Sequence, residues 1–102
     1  MKLIEKLADH INEELCDAQA YAEWALTERD EHRQLAEALY NLSVDETRHA
    51  DILHNEVVRI INEYRQTRGE PPAEMMAVYG YLHRKSIEKA DHAKLTQSQY
   101  KR

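Results

Sequence analysis

Val44-Asp45-Glu46-Thr47-Arg48-His49-Ala50-Asp51-Ile52-Leu53 (VDETRHADIL) is the stretch on which the fold turns. Glu46 and His49 are three residues apart, so on a helix they share a face, about 5–6 Å apart at Cβ. Leu39 and Leu53 stand one heptad before and after Glu46, and Leu42 stands one heptad before His49. Seven residues is close to two helical turns, so these leucines share that face. A carboxylate and an imidazole therefore point where a core is expected. An unpaired buried carboxylate costs several kcal/mol or takes up a proton. A shared cation removes the penalty, because carboxylate and neutral imidazole both bind metal in the forms they hold near neutral pH. The plainer alternative is a buried hydrogen-bonded Glu46–His49 pair.

The surroundings favour long helices. The chain has 102 residues with 2 Gly, 2 Pro and no Phe, so little breaks a run of good helix formers. That length predicts one all-α domain over 1–102. The first helix is expected over about 2–27, with a stripe of Leu3, Leu7, Ile11, Ala18, Tyr21 and Ala25 and with Leu15, Ala22 and Trp24 alongside. Glu14 falls on this stripe between Leu7 and Tyr21. Thr27–His32 is wholly polar and reads as a turn. Without it, a helix continuing to Arg68 would be about 100 Å long with nothing in the chain to bury it.

The second helix is expected over about 33–67, with Leu35, Leu39, Leu42, Glu46, His49, Leu53, Val57, Ile60 and Tyr64 inward. It ends at Gly69, ahead of Pro71 and Pro72. The third is expected over about 72–99, with Met75, Tyr79, Leu82, Ser86, Ala90 and Ala93 inward and Gly80 marking a close approach of another backbone. After Leu95 the apolar period is lost, and fraying is expected. Cys16 is expected to be a small packed residue, and Trp24 and Tyr21 core aromatics.

Charge and cysteine content narrow the function. The net charge of -5 disfavours nucleic acid and anionic membranes. The lone Cys16 excludes an intrachain disulfide and a Cys-x-x-Cys site and suits a reducing, cytoplasmic setting. No run approaches the roughly 18 apolar residues of a membrane span, and the charged N-terminus does not read as a signal peptide.

Two antiparallel helices joined by a short turn bring Glu14 toward Glu46 and His49. Dinuclear carboxylate sites in helical bundles take a lone Glu from each of two helices and a Glu-x-x-His from each of two others. This chain supplies half of that set, and no second Glu-x-x-His occurs in it. Two copies about a twofold axis would supply four carboxylates and two imidazoles, which predicts a homodimer or higher homo-oligomer with metal at the interface. Oxygen and imidazole donors suit iron or manganese, with zinc as a mononuclear alternative.

The set Glu14…Tyr21 (ELCDAQAY) and Glu46-Thr-Arg-His49-Ala50, with Glu14 lying 32 positions before Glu46 (46 − 14), resembles the ferritin-like superfamily in its rubrerythrin-like branch. The resemblance covers roughly residues 3–65. It implies a ferritin-like helical hairpin plus a third helix, with a four-helix-bundle core completed by homodimerisation. It also implies two iron ions per site and ferroxidase or peroxide-reducing chemistry, with Glu14, Glu46 and His49 as ligands. The single helix pair is similar to half-size encapsulated ferritins. Tyr40 or Asn41 stands where a full rubrerythrin has a further bridging acid, and there is no rubredoxin-like cysteine pair. A helical assembly module with a vestigial metal motif is the competing expectation. Asp51 with His54, and Glu88 with His92, read as surface or rim pairs. His83 reads as core-edge. Glu56 reads as the stripe's edge or an acid behind the ligands.

Overall fold

The computed structural model describes residues 2–102. These form three helices: α1 (Lys2–Glu28), α2 (Arg33–Arg68) and α3 (Ala73–Lys101). At 1.5 Å per residue the 36 residues of α2 span about 54 Å, and the molecule is a rod of 56 × 19 × 18 Å. The α1–α2 turn closes with the His32 amide on Glu28 O and the Ala36 amide on His32 O. Gly69 ends α2 at φ +86°, where a side chain would be strained, and its N–H caps Arg65 O. α1 is central and packs on both partners, while α2 and α3 touch only sparsely.

The expected stripe of α3 is buried or half-buried, and Ile11, Ala18, Ala25, Leu39 and Val57 are core as expected, but the buried faces of α1 and α2 are turned partway from the expected ones. On α1 the buried row is Ile4, Ala8, Ile11, Leu15, Ala18, Ala22 and Ala25; on α2 it is Ala36, Leu39, Ser43, Thr47, Ala50, Val57 and Ile61. Leu3, Leu35 and Leu42 lie roughly half exposed, and Trp24 is 51% exposed instead of core. Small residues hold the centre because α1 must meet two helices at once. Asn12 and Gln19 face α3, whereas Glu14 lies on the other side of the buried row. Part of the face expected to be core is thus an open flank, with Leu7, Glu14 and Tyr21 on α1 and Glu46, His49, Leu53 and Ile60 on α2 half-buried along it. Cys16 is exposed rather than packed. An added Cβ at Gly80 would meet only the Arg84 side chain at 3.7 Å, so no backbone approaches there.

α3 does not fray after Leu95. It remains helical to Lys101 because polar side chains dock it. Buried Ser43 donates to Ala18 O at 2.6 Å and accepts from Gln97 Nε2 at 2.9 Å. Gln19 donates to Thr96 Oγ1 at 2.9 Å. Tyr100 is buried against Ala25, Ala36 and Leu39, stacks on Tyr40 at 4.9 Å and donates its hydroxyl to Glu37. Arg29 caps the Gln99 and Tyr100 carbonyls. Polar docking of this kind has no apolar period, so hydrophobic patterning does not register it. No helix among the described residues is long and apolar enough to cross a membrane.

The sparse α2–α3 contact leaves a cleft of about 140 Å³. His54 stacks on His83 there at 4.9 Å, and Tyr79 stacks on His83 at 5.6 Å. α1 lends Ile11 and Leu15, α2 Asp51, and α3 Lys94. Burial, and after it the adjacent His54, push His83 below the ordinary histidine value. A histidine lowered in this way holds fewer protons folded than unfolded. Stability is therefore lost as pH falls below about 6.5. Between pH 7.5 and 5.5 the melting temperature of the wild type is expected to fall a few degrees further than that of His83→Phe, which keeps the ring stack. Parallel curves for the two proteins would show that the stack does not titrate.

Candidate metal centre

Glu14 reaches the α1–α2 gap from the middle of α1, and Glu46 and His49 reach it from one turn of α2. Long helical side chains lean toward the N-terminal turn, so these three converge where the antiparallel helices pass. His49 Nδ1 stands 3.6 Å from Glu14 Oε2 and 3.5 Å from Glu46 Oε1. One donor atom from each of the three lies within 4.8 Å of the other two. Two donors on opposite sides of one ion, each about 2.0–2.2 Å from it, stand roughly 4 Å apart. Small rotamer adjustments bring the three to that spacing. The carboxylates are well covered, with side chains 16% and 20% exposed, while His49 at 44% opens to the flank.

The electrostatics show what the gap lacks. Oε2 of Glu14 is buried and receives no hydrogen bond from a standing N–H or O–H donor. Glu46 is pushed up to about 7, first by sharing a hydrogen bond with Glu14, then by burial and by the Glu14 charge. Glu14 is pushed down by the same hydrogen bond and by the His49 and His10 imidazoles, against the opposing effect of burial. The two carboxyls are thus pushed in opposite directions, because like charges at close range disfavour ionising both. A cation seated against both oxygens would offset that repulsion. The donor set of two acids and one imidazole fits iron, manganese or zinc.

The structure brings together Glu14, Glu46 and His49 as the spacing predicts, and leaves the other candidates elsewhere. Asp51, His54 and His83 line the α2–α3 cleft on the far side of α2. Glu56 is exposed and bound to Arg59 at 2.9 Å, so it does not stand behind the ligands. Glu88 and His92 are exposed on α3. Two participants escaped the sequence reading. His10 Nε2 stands 3.2 Å from Glu14 Oε1, and the Asp17 charge adds to the upward push on Glu46. Both were legible as neighbours of Glu14 at helical spacing, i−4 and i+3.

No protein-family model, no curated protein and no solved structure matches the chain. The likeness to ferritin-like proteins therefore rests on the residues quoted above and on nothing further.

Proposed function

We propose that this protein binds transition-metal ions through Glu14, Glu46 and His49, and that two copies pair about a twofold axis to complete a dinuclear iron centre of ferritin-like kind. The observation that carries the reading is the convergence of three donors from two helices on one gap, where two carboxyls are brought together with an imidazole. Ion pairs on a protein surface do not need such a gap.

Each residue has a definable task. The two carboxylates supply the negative charge that offsets a divalent or trivalent ion, and Glu46 gives up its proton to do so. His49 binds as a neutral imidazole from the open side. Leu7 and Tyr21, one heptad either side of Glu14, are half-buried on the same face of α1. Bound iron would supply one-electron chemistry with oxygen or peroxide, which is the basis for a ferroxidase or peroxide-reducing activity.

The flank around the site supports pairing. Leu35 and Leu42 on α2 and Leu3 and Trp24 on α1 are exposed on the side of the hairpin away from α3. A second hairpin laid on this side would cover these residues and bring a second Glu14, Glu46 and His49 to the first set. The wild type is expected to sediment as a pair or a multiple of pairs, with two iron ions per pair by elemental analysis. Leu42→Arg is expected to shift it to the monomer and lose the second ion. A mass unaffected by Leu42→Arg would sink the pairing, and iron-free protein after anaerobic loading would sink the centre.

A further inference from the structure

His10 is the one imidazole close to the centre to which no task has been given. It lies one turn before Glu14 on α1 with its side chain 57% exposed, and Nε2 is 3.2 Å from Glu14 Oε1. Its other nitrogen, Nδ1, lies 3.7 Å from Glu13 Oε2. The remaining oxygen of Glu14, Oε2, is the buried one that faces His49 at 3.6 Å. His10 thus stands against the outer oxygen of the carboxylate, while the inner oxygen lies in the gap beside His49.

We propose that His10 is a positioning residue for the metal centre: its Nε2–H holds Oε1 of Glu14, so that Oε2 is presented to the α1–α2 gap. The inference rests on the reading of Glu14 as a ligand. A glutamate on a helix surface has three rotatable side-chain bonds, and the Glu14 carboxylate can swing out to water. Water is the favoured place for a charge that would otherwise be buried beside a second carboxyl. A donor at the outer oxygen opposes that swing, as outer hydrogen bonds to metal ligands do generally. With Oε1 held by His10, Glu14 is left as a single-oxygen donor through Oε2 at the inner position. His10 does not itself belong to the convergent donor set, which contains Glu14, Glu46 and His49.

The test uses the whole protein and three variants, His10→Ala, His10→Gln and His10→Leu. Titration with Co²⁺, followed by its visible absorption, reports affinity and coordination together. His10→Ala and His10→Leu are expected to weaken binding by about 10- to 100-fold. His10→Gln, whose amide N–H reaches one turn along the helix, is expected to recover most of the loss. A role confined to the α1 surface would leave all three at the wild-type affinity, and that result overturns the proposal. Metal-free crystals of His10→Ala supply a readout that needs no ion: the Glu14 carboxylate should leave the gap. A Glu14 that keeps its place also overturns the proposal. Absence of Co²⁺ binding in the wild type would instead remove the metal reading, and the position of Glu14 in those crystals would still decide the role of His10.

Discussion

Glu46→Gln is expected to abolish divalent-ion binding and, at pH 8, to raise the melting temperature of the metal-free protein. The metal loss follows from removing one of two anionic donors. It should exceed the 10- to 100-fold seen when only an outer partner of a ligand is removed. The gain in stability follows from the carboxyl pair. Near pH 8, above the raised Glu46 value of about 7, both groups are carboxylates and face each other across a half-buried gap. The amide that replaces the Glu46 carboxyl donates to Glu14 without adding a charge. Relief of about 1 kcal/mol corresponds to roughly 4–8 °C in a domain of this size.

The pH dependence fixes the sign. The Glu46 value is raised from 4.5 to about 7. Its stabilisation is thus complete below about 4.5 and is lost as pH rises through 7. The lowered Glu14 acts in the opposite sense, and the net cost is that of the second negative charge. The advantage of Glu46→Gln should therefore be present at pH 8 and disappear near pH 5, where Glu46 already carries a proton. Metal affinity of the wild type should fall about tenfold per unit below pH 7, because each ion displaces one proton. Calorimetry at pH 5 and 8, with and without Mn²⁺, reads both effects. A variant that melts at or below the wild-type temperature at pH 8 would show that the acids do not repel. Unchanged Mn²⁺ uptake would place the ion elsewhere. Residues that weaken the metal-free fold and are kept for a task are the ordinary signature of a functional site.

Leu15→Ala is expected to be the most damaging truncation of the core. Leu15 is 2% exposed and belongs to the core cluster of Ile4, Ile11, Ala50, Val57 and Ile61. It also borders the α2–α3 cleft, where sparse packing gives the neighbours little to collapse onto. Leucine-to-alanine changes in cores cost about 2–5 kcal/mol. A middle value of about 3 kcal/mol lowers the melting temperature by roughly 12–24 °C. Trp24→Ala removes a larger side chain from a half-exposed position and is expected to change stability by only about 0.5 kcal/mol in dilute protein. Equal losses from the two variants would show that Trp24 is core after all.

The contrast between Leu15 and Trp24 separates local from global information. The helices themselves are local: a polar turn after Glu28, Gly69 at positive φ and Pro71-Pro72 interrupt an otherwise unbroken run of helix formers. The sharing of one face by Glu46 and His49 is also local, since three residues on a helix fix it. The meeting of Glu14 with them needed only an antiparallel hairpin, which the short turn imposes. The choice between adjacent faces is different. Leu3, Leu35, Leu42 and Trp24 repeat at helical spacing as well as Ile4, Leu15 and Leu39 do.

What the sequence determined by itself was therefore the three helices, the breaks between them, and an acid–histidine set aimed at the gap between the first two. Only the tertiary structure decided that α3 covers the opposite side of α1, which leaves that set on an open flank. It alone also revealed the polar docking of α3 through Gln97, Thr96 and Tyr100, the close approach of the Glu14 and Glu46 carboxyls, and the nearness of His10 to Glu14. The reason is physical: backbone period and breakers act over a few residues. Which stripe is buried, and which charge meets which, depends on the helix that arrives from elsewhere in the chain.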